Sequence, residues 1–155
     1  MTAPPAGGAS GAPIVRLERI IPATPDALFR AWTDPALLRR WMSPVGHAEA
    51  TVDLRVGGAL HITMVDGDVR IEHTGEFLEL ERPTRLRFTW NSPYTGDSPS
   101  VVTVTLAPDG EQTRLVLVHE RLPADAVSSH QGGWGSMVER LVGVLASLNA
   151  QEVVQ

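Results

Sequence analysis

Five histidines, His47, His61, His73, His119 and His130, are the residues of this chain best suited to chemistry near neutral pH. Imidazole is the side chain whose ordinary pKa lies in that range. A metal site would need several of them at fixed spacing. No two stand in an H-x-H, H-x-x-x-H or H-E-x-x-H arrangement, and the chain has no cysteine. A site would have to be assembled from distant strands, so no metal and no cofactor is expected. His73, His119 and His130 fit better as polar groups inside an apolar enclosure, where His73 or His119 could also move a proton. Glu76, Glu79 and Glu81 alternate with Leu78 and Leu80, which reads as a solvated strand face rather than a general acid. The serines have no nucleophile elbow, and no phosphate loop or dinucleotide fingerprint occurs. No catalytic residue is assigned, and binding is favoured over catalysis.

The second group of informative residues is flat or polarizable. Four tryptophans, Trp32, Trp41, Trp90 and Trp134, accompany Phe77, Phe88, Met64 and Met137. Such side chains fill cores or stack on aromatic ligands. Trp32 and Trp41 read first as core, whereas Trp90 and Trp134 stand next to expected openings. The candidate ligand-binding set combines Trp41, Met64, Phe77, Phe88, Trp90, Trp134 and Met137 with the imidazoles of His61, His73, His119 and His130. Val138 and Leu141 complete it from the last helix. Asp53, Arg55 and Gly57-Gly58 could contact an anion or partner; they read more simply as a strand end where Arg55 pairs with Asp53 and the glycines shape a turn.

These groups must be carried by one domain. The chain has 155 residues, 43% hydrophobic and 20% charged, with a formal net charge of −5, an ordinary globular composition. All its basic residues are arginines, scattered among acids, so a nucleic-acid role is not expected. No apolar run is long enough to insert in a membrane. Residues 1–13 carry no charge and no apolar block; they are expected to be a disordered tail and not a signal peptide. The expected domain covers 14–149, with 150–155 as a C-terminal tail. The missing cysteines and signal favour the cytoplasm.

Periodicity gives the elements. Ile14 to Ile21 reads as a strand. Thr24-Pro25-Asp26 and Asp34-Pro35 start two short helices in tandem, with Leu28, Phe29 and Trp32, then Leu37, Leu38 and Trp41, as their apolar faces. From Ala48 the period becomes two. Strands are expected over 48–54, 59–65, 69–80, 84–90, 100–107 and 113–119, with Gly75 marking a bulge or bend. Residues 91–99 form the longest break. After Pro123, Val127, His130, Trp134, Val138, Leu141, Leu145 and Leu148 recur at steps of three and four, an amphipathic helix. Gly132, Gly133 and Gly135 each weaken it by about 1 kcal/mol; regular helix is predicted from about Ser136, and a split at Gly132–Gly135 stays open.

The fold class is therefore α+β: about seven antiparallel strands curved around one long C-terminal helix, with two short helices after the first strand. An apolar sheet face needs a cover, and the last helix is the only element long enough. A wrapped sheet that fails to close tightly on that helix would leave an apolar pocket.

Ala31-Trp32-Thr33-Asp34-Pro35 with Leu38, Trp41 and Pro44, then Asp53-Leu54-Arg55-Val56-Gly57-Gly58, resemble the activator-of-heat-shock-ATPase homology family. Gly75-Glu76-Phe77, Leu86, Phe88-Thr89-Trp90, Thr113-Arg114-Leu115 and Gly133-Trp134 extend the resemblance from about Ile14 to Leu148. It implies the helix-grip fold of the START-like, birch-pollen-allergen-like superfamily. The aromatic-rich interior points to a small apolar or aromatic ligand in an internal cavity, and the resemblance implies a chaperone or other protein as the alternative partner. A cyclase or dehydratase using pocket histidines is the enzymatic alternative, and either a monomer or a homodimer is compatible.

Overall fold

A computed structural model describes residues 14–154, with side chains described through residue 148. The expected N-terminal tail lies outside the described residues. The chain runs β1 (Val15–Ile21), α1 (Pro25–Thr33), α2 (Pro35–Trp41), β2 (His47–Val52), β3 (Ala59–Asp66), β4 (Val69–Glu81), β5 (Arg85–Trp90), β6 (Ser100–Asp109), β7 (Gln112–Glu120), a 3₁₀ turn (Ala124–Ala126) and α3 (Val127–Val154). The strands make one seven-stranded antiparallel sheet in the order β1-β7-β6-β5-β4-β3-β2.

Local chemistry accounts for the short helices. Thr24 Oγ1 accepts from the Ala27 amide at 3.1 Å, and Asp34 accepts from the Ala36 amide at 2.9 Å. Each cap satisfies an amide the first helical turn would leave open, with proline as the following residue. In β5, Leu86, Phe88 and Trp90 are buried, and Arg85, Arg87 and Thr89 between them are partly exposed. Arg55 Nε pairs with Asp53 at 2.9 Å, and a Cβ on Gly58 would lie 2.1 Å from the Asp53 carbonyl oxygen. This segment is therefore a tight turn closed on itself.

Gly75 does not carry the bulge expected of it. The register shift in β4 falls between Phe77 and Glu79. A Cβ on Gly75 would stand 2.0 Å from the Thr89 carbonyl oxygen, so glycine there permits close strand approach. The shift lies within the β4–β5 ladder; along its other edge β4 pairs with β3 as far as Glu76.

α3 is continuous through Gly132, Gly133 and Gly135 and runs on to Val154, into the stretch read as a tail. The glycines cost helix propensity, but Trp134, Met137, Val138, Leu141, Val144 and Leu145 are buried against the sheet. Tertiary burial of that stripe outweighs the local preference. No described helix is long and apolar enough to cross a membrane.

The space between sheet and α3 is largely filled by the protein's own rings. Trp32 packs edge-on to Trp41 with centroids 4.6 Å apart and stacks on Trp134 at 5.9 Å; Trp134 meets Trp90 at 5.7 Å. Phe88 touches Trp32, Phe77 and Trp90. The expected enclosure is thus not a broad hollow. What remains is a cavity at one end of the aromatic layer.

Candidate ligand cavity

The cavity has a volume of about 280 Å³. Met64 and Ile71, directly opposite each other in the β3–β4 register, form one wall with His73. Trp90 at the end of β5 forms the floor. His130, Trp134 and Met137 close it from α3, and Pro44, Tyr94 and Ser129 surround the mouth. No acidic or basic side chain apart from the two imidazoles is among these. A depression of about 400 Å³ lies elsewhere and one of about 430 Å³ adjoins the mouth through Tyr94 and Ser129, but their rims mix in Arg30 and Glu111, or Asp125. They lack the continuous apolar lining that binding sites for small molecules share.

Six members of the sequence-derived set meet here: Met64, His73, Trp90, His130, Trp134 and Met137. The others lie elsewhere. Trp41, Phe77, Phe88, Val138 and Leu141 are buried in the packed core outside the cavity; the Trp41 indole donates to the Ala31 carbonyl at 3.0 Å. His61 projects from the opposite face of β3 and pairs with Glu72 at 3.1 Å. His119 stands behind the wall. Pro44, Ile71, Tyr94, Ser129 and Gly133 were not anticipated. Ile71 shares strand parity with His73, which could have marked it; Tyr94 lies in the long 91–99 break.

The hydrogen bonds behind the wall fix one protonation pattern. Trp134 Nε1 donates to His119 Nδ1 at 3.0 Å, and His119 Nε2 is 2.8 Å from Ser100 Oγ. An indole nitrogen can only donate, so Nδ1 carries a lone pair and the neutral ring holds its proton on Nε2. Nε2–H then donates to Ser100 Oγ, whose hydroxyl donates to the Trp90 carbonyl oxygen. No motif or spacing singles out this serine. The pairing has the reverse polarity of a nucleophile and base: the nitrogen facing the serine already bears a proton and cannot accept another. His119 is wholly buried, and burial pushes its pKa down to about 3. It holds Trp90 and Trp134 in place and is not a proton carrier.

His73 has a different setting. Its ring stacks on Trp90 with centroids 4.6 Å apart and 27° between planes. Burial lowers its pKa to about 4, so it is neutral at pH 7. Its Nδ1 is buried without a hydrogen-bond partner, one of two such side-chain atoms among the described residues. The other, Trp32 Nε1, belongs to a residue that does not line the cavity. His130, half-buried on α3, has Nδ1 2.8 Å from the Ala126 carbonyl oxygen.

Arg140 fastens the mouth. Its two terminal nitrogens donate to the carbonyl oxygens of Ser43 and Gly46. Pro44, between them, lines the cavity. No cluster of three potential metal-binding side chains exists among the described residues.

Comparison with known proteins places this architecture. Residues 22–146 match the family described as Activator of Hsp90 ATPase homolog 1-like protein. A crystal structure of an AHSA1 protein from Silicibacter pomeroyi is 31% identical, covering 86% of this chain and 97% of its own, with a TM-score of 0.74. An Hsp90 activator from Plasmodium falciparum is 25% identical over 88% of this chain and 97% of its own, with a TM-score of 0.73. A Nitrosomonas europaea protein shares the fold at 22% identity and a TM-score of 0.78, covering 92% of this chain and 99% of its own. No curated protein matches the sequence.

Proposed function

The chain belongs to the Activator of Hsp90 ATPase homolog 1-like family, and from that premise we propose that it binds a small apolar or aromatic molecule in the cavity between β3–β5 and α3. One observation carries this reading. In an interior otherwise packed with indoles and phenyl rings, a space of about 280 Å³ stays open between Met64, Ile71, Trp90, Trp134 and Met137. Apolar surface left open to water in this way is stabilised when an apolar ligand covers it.

Thermal denaturation against a panel of neutral one- and two-ring aromatics tests the reading. Ligand present at about 100 times its Kd adds roughly 2.7 kcal/mol and raises Tm by several degrees. Tryptophan emission should change in parallel, because Trp90 and Trp134 form the walls. A panel that moves neither signal would overturn the proposal.

A protein-partner role is the second reading, supported by the likeness to the Plasmodium falciparum Hsp90 activator. Titration with purified Hsp90, followed by ATP turnover, tests it directly. Turnover unchanged by a stoichiometric excess of this chain argues against it. A cyclase or dehydratase reading would retain only His73 and His130 as proton carriers, since both ring nitrogens of His119 are committed.

A further inference from the structure

We propose that the ligand of this cavity is an uncharged hydroxyaromatic compound of one or two rings, held by donating its hydroxyl proton to Nε2 of His130. The inference rests on the cavity reading above and adds the chemical class. Size sets the first limit. A dry apolar cavity of about 150 Å³ admits one benzene ring, so about 280 Å³ accommodates one ring or two fused rings.

Charge sets the second limit. The walls are Trp, Met, Ile and Pro with two imidazoles, and no Asp, Glu or Arg reaches the cavity. A carboxylate, phosphate or ammonium would lose its water without gaining a fixed counter-charge. A neutral aromatic loses little and gains contact with the indoles and with Met64 and Met137.

The direction of one hydrogen bond sets the third. His130 Nδ1 is 2.8 Å from the Ala126 carbonyl oxygen, which can only accept. Nδ1 therefore carries a proton. In the neutral ring the lone pair then sits on Nε2, which has no hydrogen-bond partner among the described residues. The cavity thus presents an acceptor and asks for a donor. His73, 95% buried on the facing strand and stacked on Trp90, adds a flat ring to the opposite wall. A ligand with an ether or ketone in place of the hydroxyl would set acceptor against acceptor at His130.

The test is calorimetry on the full chain at pH 8 with three probes of one ring system: 2-naphthol, 2-methoxynaphthalene and 2-naphthoate. One hydrogen bond is expected to make 2-naphthol bind about five- to tenfold tighter than the methyl ether, with 2-naphthoate weakest. His130→Phe keeps an aromatic ring and removes the acceptor, so it should bring naphthol and ether within about twofold. Equal binding of naphthol and ether to the wild-type chain, or tightest binding of naphthoate, overturns the hydroxyl assignment and leaves the cavity reading intact. A preference that survives in His130→Phe moves the hydroxyl away from His130 and also overturns it. Failure of all three to bind overturns the cavity reading itself. The wild-type comparison decides whether the hydroxyl is read at all, and His130→Phe decides whether His130 reads it.

Discussion

The indole of Trp134 donates a 3.0 Å hydrogen bond to Nδ1 of His119, across the gap between α3 and β7. Both residues are essentially fully buried. The bond ties a cavity wall to β7, next to the edge strand β1, where His119 lies between Val15 and Val102 in the strand register. His119→Phe preserves ring volume but orphans the Trp134 N–H and takes away the donor that Ser100 receives. A loss of about 2–4 kcal/mol is expected in urea denaturation. Combining it with Trp134→Phe should reveal a coupling of about 1 kcal/mol or more; strictly additive single effects would contradict the bond.

Acid should weaken the fold through the same histidines. His73 and His119 are held neutral, with pKa values lowered to about 4 and about 3 by burial. In the unfolded chain both titrate near 6.5. The unfolded state therefore binds more protons as pH falls below about 6.5, and stability drops until the folded values are reached. The slope is roughly 1.4 kcal/mol per pH unit for each histidine between about pH 6 and pH 4. Urea midpoints measured across this range should fall less steeply in His73→Phe than in the parent. Identical slopes would show that His73 does not titrate as its burial requires.

The glycines of α3 offer a gain. A Cβ at Gly132 or Gly143 would meet nothing within 4 Å, and both positions are exposed. Gly132→Ala and Gly143→Ala should each raise stability by about 0.5–1 kcal/mol, because alanine loses less backbone freedom on folding. Two-probe denaturation checks this. A loss of stability would mean that the helix does not run regularly through these positions.

Arg140 holds the Ser43–Gly46 segment to α3 by two hydrogen bonds. Arg140→Met keeps much of the stem and removes both. Amide exchange in residues 43–47 should accelerate about tenfold or more while β5–β7 stay protected. Exchange unchanged at those amides would remove the mouth-fastening role. Lysine should restore only part of the protection, because one ammonium cannot reproduce the guanidinium's fork.

Much of the architecture is legible in the residues alone. The alternation of Leu86, Phe88 and Trp90 is a backbone property and survives any tertiary setting. So do the caps at Thr24 and Asp34, and the stripe from Trp134 to Leu145. Parity alone also argued against putting His61 beside Met64, since side chains three apart on a strand face opposite sides. The Gly132–Gly135 question could not be settled locally, because propensity favours a break and only burial of the neighbouring stripe opposes it.

The sequence by itself determined element types, their order and the faces they bury, because each depends on residues a few positions apart. Tertiary structure alone decided which rings fill the interior and where space remains. A cavity is the difference between the volume that several elements enclose and the volume their side chains occupy, and no single segment encodes that difference. The same holds for Ser100, His119 and Trp134, distant in the chain and brought into one directed hydrogen-bond chain by strand register and helix docking.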